Sequence, residues 1–152
     1  MLRFELNNLT RRKVNMRWLR LAVAAFAGQA RLAGRNYFSL ALVGPAAIKK
    51  WNRLYRRRDK VTDVLSFAET ADEPKLKEAK GNYLGEILIC PAQAGEQAKE
   101  YGSALAGELS RLLIHGLAHL VGYEHEGVSK KKAQEMRDFE ENVARKMPKL
   151  NK

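Results

Sequence analysis

Cysteine is nearly absent from this sequence. The chain of 152 residues contains one, Cys90, so no disulfide can form within it. Because Cys90 ends the apolar run Ile87–Cys90, we expect a buried thiol in a strand rather than a metal ligand. A chain without disulfides suits a reducing compartment, and we therefore expect a cytoplasmic protein. With 45% hydrophobic residues, the chain is long enough to bury a core as one domain over residues 1–152.

Long apolar runs are also absent, which argues against a membrane protein. The longest run, Leu21–Ala27, has seven residues, whereas a membrane-spanning helix needs about 20. Basic residues before this run and Gly28 after it imitate a secretion signal. The apolar residues nevertheless recur at the spacing of one helix face, so we expect an amphipathic helix packed within the domain and no membrane partner. The predicted face comprises Val14, Trp18, Leu21, Ala22, Ala25 and Leu32.

Acidic residues are scarce in the first part of the chain. Residues 1–60 contain 15 Lys/Arg and 2 Asp/Glu, whereas residues 61–152 contain 13 and 15. The first region is therefore the candidate surface for a polyanion. Its densest cluster is Lys49, Lys50, Arg53 and Arg56–Arg58, where the planar arginine side chain suits phosphate oxygens. The alternative is a solvated cationic face without a ligand.

All three histidines lie within residues 115–125. His115 and His119 are four residues apart, so on a helix they occupy one face in neighbouring turns. Gly122 can take the left-handed conformation that ends a helix and would turn His125 back toward the other two. Three imidazole ligands with one open position are typical of a catalytic zinc site, whereas a structural site is closed by a fourth ligand. The alternative is three unrelated histidines.

The spacing H-x3-H-x2-G-x2-H is the ligand pattern of metzincin-type peptidases. In those enzymes a glutamate follows the first histidine and acts as general base, but here the residue is Gly116. The sequence therefore favours a different hydrolytic chemistry or a different base.

Three blocks of sequence together resemble the YbeY family of bacterial ribosomal-RNA maturation endoribonucleases. They are Tyr55-Arg56-x-x-Asp59-Lys60-x-Thr62-Asp63-Val64-Leu65-Ser66-Phe67, Leu84-Gly85-Glu86-Ile87 and the histidine segment 115–125. The sequence departs from the usual family residues at Val61, Glu86, Ala118 and Glu124, none of which is a candidate metal ligand.

The resemblance implies an α+β fold related to zincins and one Zn²⁺ held by His115, His119 and His125. It also implies cleavage of single-stranded RNA in the maturation of the 16S rRNA 3′ end and in late ribosome assembly and quality control. The expected partners are rRNA and the small ribosomal subunit or its assembly factors. Arg56 matches an arginine that is functional in the family, and we expect it to be catalytic. The alternative is that Arg56 pairs with Asp59 or Asp63 and only orders the turn.

Together with this resemblance, the chain pattern predicts a single α+β domain with a small mixed sheet and packed helices, and the resemblance implies that the metal helix is zincin-like. The predicted strands are Leu2–Leu6, Tyr37–Val43, Val64–Phe67 and Tyr83–Cys90. The predicted helices are Asn15–Ala33, Pro45–Arg56, Pro91–Glu100, one capped by Ser103 that carries His115 and His119, and Ser129–Lys146. The charged loop Glu69–Lys80 is the segment that we expect to be mobile.

Two other classes of function stay open at this point. A zinc hydrolase of another class would use the histidines but not the basic region. A non-catalytic ribosome assembly factor would bind RNA through the basic region and hold a structural zinc. For the catalytic interpretation, Glu124 and Glu126 are the candidate proton-transfer groups.

Overall fold

A computed structural model describes residues 1–69 and 81–150. Within them the elements follow the chain as β1 (Leu2–Asn8), α1 (Met16–Ala30), β2 (Asn36–Leu42), α2 (Pro45–Arg56), β3 (Val64–Ala68), β4 (Asn82–Ile89), α3 (Pro91–Glu100), α4 (Leu105–Leu120) and α5 (Lys130–Arg145). The loop predicted to be mobile, Glu69–Lys80, lies outside the described residues except for Glu69. The α+β class predicted from the sequence is confirmed.

The described strands form one mixed sheet in the order β1-β2-β4-β3. β1, β2 and β4 run parallel, and β3 pairs antiparallel with β4. Apolar side chains alternate between the two faces, as the period of a strand requires. Ile87 and Ile89 of β4 face a large core with α1, α4 and α5, whereas Leu88 faces a smaller core with Ile48 of α2. The sheet therefore separates α2 from α1, α4 and α5.

Gly85 occupies an irregular point in this sheet. Tyr37 pairs with Tyr83 and Ser39 with Glu86, so β4 has one more residue than β2 between the two pairs. Gly85 has φ +133°, and a Cβ there would overlap the carbonyl oxygen of Phe67. Only glycine combines this backbone conformation with so close an approach of β3. The backbone conformation and the close approach of β3 thus explain why the second residue of the Leu84-Gly85-Glu86-Ile87 block is glycine.

Helix α4 lies at the centre of the fold. It packs against α1, α3 and α5 and against strands β3 and β4. Its side chains are buried on most sides, as expected of a helix that is apolar nearly all round. The fully or nearly buried apolar residues are Leu109, Leu112, Leu113, Ile114, Leu117, Ala118 and Leu120. A helix held on several sides is a rigid support for the two histidines that it carries.

Of three local predictions, one was only partly right and two were wrong. Helix α1 packs against the core as predicted, and Val14, Ala22, Ala25 and Leu32 of the predicted face contact it. The most buried residues are nevertheless Leu19, Ala22, Val23 and Phe26, because two overlapping stripes in this helix have the same period. The helix also ends at Ala30 rather than Ala33, with Arg31 in a left-handed conformation. The residue that caps α4 is Ala104, not Ser103. The Ser103 hydroxyl instead donates to the carbonyl oxygen of Ala98 in α3, at 3.5 Å.

The helix starts at Asn15 and Ser129 and the burial of Cys90 agree with the sequence prediction. The side chains of Asn15 and Ser129 accept hydrogen bonds from the third residue after each, at the starts of α1 and α5. Cys90 is buried as a free thiol between β4 and α3. In the part of the chain that the structure describes, no helix is both long and apolar enough to cross a bilayer.

Candidate metal centre

Helix α4 brings His115 and His119 together. They lie one turn apart, and their rings meet edge to face with centroids 4.7 Å apart. Their Nε2 atoms approach to 3.2 Å. The side chains are 23% and 19% exposed.

The end of α4 brings His125 to the same point. Gly122 has φ +104°, and its N–H donates to the carbonyl oxygen of His119 at 3.0 Å. The N–H of Tyr123 donates to the carbonyl oxygen of Ala118 at 3.0 Å, which reverses the chain direction. The His125 ring then lies 5.0 Å from each of the other two rings. One ligand nitrogen from each histidine lies within 4.8 Å of the others, so the structure brings together the three residues predicted as ligands.

Hydrogen bonds fix which nitrogen of each helical histidine is free. The Nδ1 of His119 lies 2.9 Å from the carbonyl oxygen of Tyr123, which can only accept, so this nitrogen carries the proton. The Nδ1 of His115 lies 2.7 Å from a carboxylate oxygen of Glu140 in α5 and donates to it in the same way. A ring whose Nδ1 donates in this way has Nε2 as its other nitrogen for binding a metal ion. The two Nε2 atoms, 3.2 Å apart, are therefore placed to bind one metal ion together.

The donor set fits zinc. Zn–N bonds of about 2.0–2.1 Å in a tetrahedron place neighbouring nitrogens about 3.3 Å apart, close to the separation in α4. Burial lowers the pKa of His119 below its usual range, and the neighbouring His115 lowers it further. A neutral ring keeps the lone pair that a metal ion needs. The oriented imidazoles with their Glu140 and Tyr123 partners are the arrangement typical of metal-binding histidines.

Sequence reasoning missed Glu140 and the Tyr123 carbonyl. Glu140 lies 25 residues after its partner on a separate helix, and no spacing rule connects the two. The Tyr123 carbonyl belongs to the turn after α4. The position of its oxygen depends on the backbone conformation of Gly122, and no pattern of side chains in the sequence marks it.

We expect Glu140→Gln to weaken metal binding roughly 10- to 100-fold, because the amide is a weaker acceptor for the His115 Nδ1–H. Competition with a chelator of known affinity measures the change. The matched control is Glu141→Gln, since Glu141 is the next residue of α5 and is exposed at the surface, where it pairs with Arg145. Equal metal affinity in the two variants would contradict this role of Glu140.

A close contact between α4 and β4 explains why residue 116 is glycine and not the glutamate that acts as general base in the peptidases. α4 crosses β4 so closely that a Cβ on Gly116 would lie 2.9 Å from Cγ2 of Ile87. Ile87 is fully buried and cannot move aside. A glutamate at this position would displace α4 from the sheet. The contact therefore excludes the general base that follows the first histidine of metzincins.

We expect Gly116→Ala to destabilise the protein. Overpacking against Ile87 costs roughly 1–3 kcal/mol, more than the gain of up to about 1 kcal/mol from the higher helix propensity of alanine. Urea denaturation measures the change in the free energy of unfolding. Gly28→Ala in α1 is the control, because its nearest contact is an ordinary 3.9 Å to Lys146 Nζ, and it should be neutral or stabilising. Equal stability of the two variants would contradict the close approach.

Arg56 stands at the end of α2 and faces the histidine loop. Its Nη2 lies 3.1 Å from an oxygen of Glu126, and the Nη2 of Arg58 lies 3.7 Å from the same oxygen. Within the described part of the chain, Arg56 therefore pairs with Glu126 and not with Asp59 or Asp63, and Asp63 lies 4.0 Å from Arg111 instead. Glu126 is the residue after His125, so this pair connects α2 to the loop of the third histidine.

A cleft of about 630 Å³ contains the candidate site. Arg56, Arg58 and Lys60 line it with the three histidines, while Ser66 and Phe67 of β3 lie along its wall. The other cations of the predicted cluster, Lys49, Lys50, Arg53 and Arg57, are exposed around α2 outside the cleft. Glu124 and Glu126, the candidate proton-transfer groups, also line the cleft. Glu124 lies 3.4 Å from the Nδ1 of His119.

The fold and the site define an α+β protein with three histidines that could hold a metal ion, in a cleft that is also lined by Arg56, Arg58 and Lys60. The family model described as Endoribonuclease YbeY matches residues 5–148. The chain belongs to the YbeY endoribonuclease family. The resemblance found in the three sequence blocks is thereby confirmed, and membership supports an RNA-cleaving hydrolase.

Relatives from several bacteria agree with this family. The chain is 46% identical over 112 residues to Endoribonuclease YbeY of Moorella thermoacetica, a match that covers 71% of this chain and 72% of the relative. It is 42% identical over 106 residues to the protein of the same name from Thermodesulfovibrio yellowstonii. That match covers 69% of this chain and 63% of the relative. It is 47% identical over 88 residues to Endoribonuclease YbeY of Staphylococcus carnosus. This match covers 57% of this chain and 58% of the relative. The matched segments thus span about three fifths to three quarters of these relatives.

A solved structure has the same fold. The solution structure of TM1509 from Thermotoga maritima superposes with a TM-score of 0.58 at 27% sequence identity. The match covers 94% of this chain and 89% of that one.

Proposed function

We propose that this protein is a zinc-dependent endoribonuclease that cleaves single-stranded RNA, with one zinc ion held by His115, His119 and His125. The observation that carries the proposal is the pair of Nε2 atoms 3.2 Å apart in a cleft that also contains Arg56, Arg58 and Lys60. Membership of the YbeY endoribonuclease family supports RNA as the substrate.

The chemistry available at such a site is Lewis-acid catalysis, which acidifies water and polarises a phosphate oxygen. The residues of the chain hold the ligands ready for it. Glu140 and the Tyr123 carbonyl keep the protons on Nδ1 of His115 and His119, so that both Nε2 atoms point toward one another. Because these partners belong to a helix and a capped turn, the rings of His115 and His119 are already oriented for a metal ion.

Arg56 is placed to bind the reacting phosphate. It lines the same cleft as the histidines, and its side chain is 39% exposed, so an RNA phosphate can reach it. The guanidinium can form two parallel hydrogen bonds to phosphate oxygens and stabilise the charge that develops in the transition state. Glu126 holds Arg56 toward the histidine loop before the substrate arrives, at 3.1 Å.

The remaining part of the proposal concerns the substrate. We assign the protein to maturation of the 16S rRNA 3′ end and to late assembly and quality control of the small ribosomal subunit, in the cytoplasm. The support is the similarity of the three sequence blocks to YbeY sequences and the excess of cations in residues 1–60, which suits a large RNA.

A structural zinc in a non-catalytic assembly factor is the main alternative. A closed structural site needs a fourth protein ligand. Within residues 1–69 and 81–150, the cluster contains three histidines and no cysteine, aspartate or glutamate that joins them as a further ligand. The site therefore favours catalysis. A peptidase is disfavoured by the contact of Gly116 with Ile87.

Cleavage and binding of RNA measured on the same preparation test the proposal. Protein freed of contaminating nucleases should cut a single-stranded RNA, leave the matching duplex intact, lose cleavage after chelation and regain it with zinc. RNA binding should largely survive chelation, because the cations of α2 do not depend on the metal. Binding without any metal-restored cleavage would favour the assembly-factor alternative.

The cations around α2 lead to a separate prediction. We expect replacement of Arg53, Arg57 and Arg58 by glutamine to weaken RNA binding and to flatten its salt dependence, since each lost phosphate contact removes about 0.7 from the logarithmic slope for single strands. Affinity measured across a range of salt concentrations gives the slope. The control is glutamine at Arg17, Arg20 and Arg31, which are exposed on and just after α1, across the sheet from α2. An equal change in the two triple variants would show only the effect of net charge.

A further inference from the structure

Exposed aromatic side chains gather on α2 beside the cleft. Among the described residues, the large hydrophobic side chains most exposed to solvent are Met1, Leu9, Trp51, Leu54, Tyr55 and Tyr101. Three of the six belong to α2, where Trp51 is 38%, Leu54 57% and Tyr55 61% exposed. A cluster of exposed apolar side chains on one helix indicates a binding surface rather than scattered surface residues.

The rings form a row that leads out of the cleft. Trp51 and Tyr55 are four residues apart on α2 and stack with centroids 5.3 Å apart at an angle of 21°. Tyr55 also contacts Phe67 edge to face, with centroids 5.1 Å apart. Phe67 and Tyr55 line the cleft that contains the histidines, whereas Trp51 lies beyond it. The row therefore runs from the cleft wall to the outer surface of α2.

The segment that carries the rings of α2 is strongly cationic. Residues 45–60 contain seven Lys/Arg and one Asp, a net charge of +6. The cations adjoin the rings in sequence, with Lys50 before Trp51 and Arg56 after Tyr55. Aromatic rings interleaved with cations are the usual surface for single-stranded nucleic acid, because the cations bind phosphates while the bases stack on the rings. The charge of α2 disfavours a basic or neutral protein partner.

We infer that Tyr55 and Trp51 form a stacking platform for unpaired bases next to the scissile phosphate. This inference rests on the proposed function and deepens it, since it names the feature that selects single strands. A base inside a duplex has both faces covered by its neighbours and cannot stack on a protein ring. An unpaired nucleotide can place its base on the Tyr55–Trp51 pair while its phosphate reaches Arg56 in the cleft. Because every base has an aromatic face, the platform selects for unpaired structure rather than for sequence.

The test compares RNA affinities of ring variants with that of a matched control. Tyr55→Leu and Trp51→Leu remove the platform, and Tyr101→Leu removes a tyrosine that is 77% exposed after α3, outside the cleft. Affinity is measured on metal-loaded protein with fluorescently labelled oligouridine and with an RNA duplex, in a stopped-flow instrument before cleavage occurs. We expect each platform variant to lose roughly 5- to 100-fold in single-strand affinity, with duplex affinity unchanged. Tyr101→Leu should match the wild type, and Tyr55→Phe should retain single-strand affinity.

A second measurement leaves the platform side chains intact. The chain has two tryptophans, so Trp18→Phe leaves Trp51 as the single tryptophan reporter. Oligouridine should quench its emission, and the duplex should not. Absence of quenching, or equal loss of single-strand and duplex affinity in the leucine variants, would overturn the inference. Unchanged RNA affinity in both leucine variants would also overturn it and assign the exposed rings to a protein partner. If the wild type binds single strands through the rings but never cleaves them, the platform is supported and the endoribonuclease proposal fails.

Discussion

Alanine at His115, His119 or His125 is expected to abolish stoichiometric zinc binding and RNA cleavage together. Each replacement removes one of three nitrogens that lie within 4.8 Å of one another, and two ligands do not hold zinc tightly. Loss of Lewis-acid catalysis removes several kcal/mol of transition-state stabilisation, which is a factor of roughly 10³ or more in rate. Elemental analysis and single-turnover cleavage on the same samples give both quantities.

The chain contains no histidine outside this cluster, so the control for these variants is another side chain. Glu100→Ala serves, because Glu100 is exposed at the end of α3 and does not line the cleft. It should keep one zinc per chain and the wild-type cleavage rate. If the triple alanine variant still held stoichiometric zinc, the assignment of the site to the three histidines would be wrong.

The second large effect is expected for Arg56→Lys, which should lower the cleavage rate roughly 10²-fold with little change in RNA affinity or zinc content. Lysine keeps the charge that attracts RNA but lacks the planar fork that can bind two oxygens of the reacting phosphate. An interaction made mainly in the transition state appears in the rate rather than in binding. Single-turnover cleavage measured beside the Kd for RNA separates the two.

A structural role for Arg56 makes a different prediction. If its only function were to pair with Glu126, the melting temperature of Arg56→Lys should fall together with its cleavage rate. Arg58→Lys is the matched control, because Arg58 lines the same cleft and faces the same Glu126 oxygen at 3.7 Å. We expect Arg58→Lys to cleave near the wild-type rate. Equal rates for the two lysine variants would remove the catalytic role of Arg56.

The parts of the site that local rules control were predictable from the sequence. The period of a helix places His115 and His119 on one face. The left-handed conformation that glycine accepts explains why Gly122 ends α4 and returns His125. The helix starts at Asn15 and Ser129 follow from side chains that accept hydrogen bonds from the first turn. Each of these rules acts over a few residues and needs no tertiary contact.

The parts that depend on tertiary contact were not predictable. Glu140 supports His115 from 25 positions away in the sequence, and Glu126 supports Arg56 from 70 positions away. No local sequence pattern marks either pair. The reason for Gly116 is the approach of α4 to Ile87, a contact between a helix and a strand. In α1, the helical period allowed two overlapping apolar faces. Packing against α4 and α5 determines which face is most buried, that of Leu19, Ala22, Val23 and Phe26.

Two residues close to His119 bear on how its ring is held. Glu124 stands 3.4 Å from the Nδ1 of His119, beside the hydrogen bond from that nitrogen to the Tyr123 carbonyl. Ala118 is fully buried in the core, and its carbonyl oxygen accepts from the N–H of Tyr123. Neither residue is a candidate metal ligand.

The most direct test of the central claim is titration of metal-free protein with zinc while the initial rate of single-stranded RNA cleavage is measured. We expect the rate to rise in proportion to added zinc and to stop rising at one equivalent per chain, because three histidines form one site. Cleavage at the full rate by protein that elemental analysis shows to be free of metal would contradict the account.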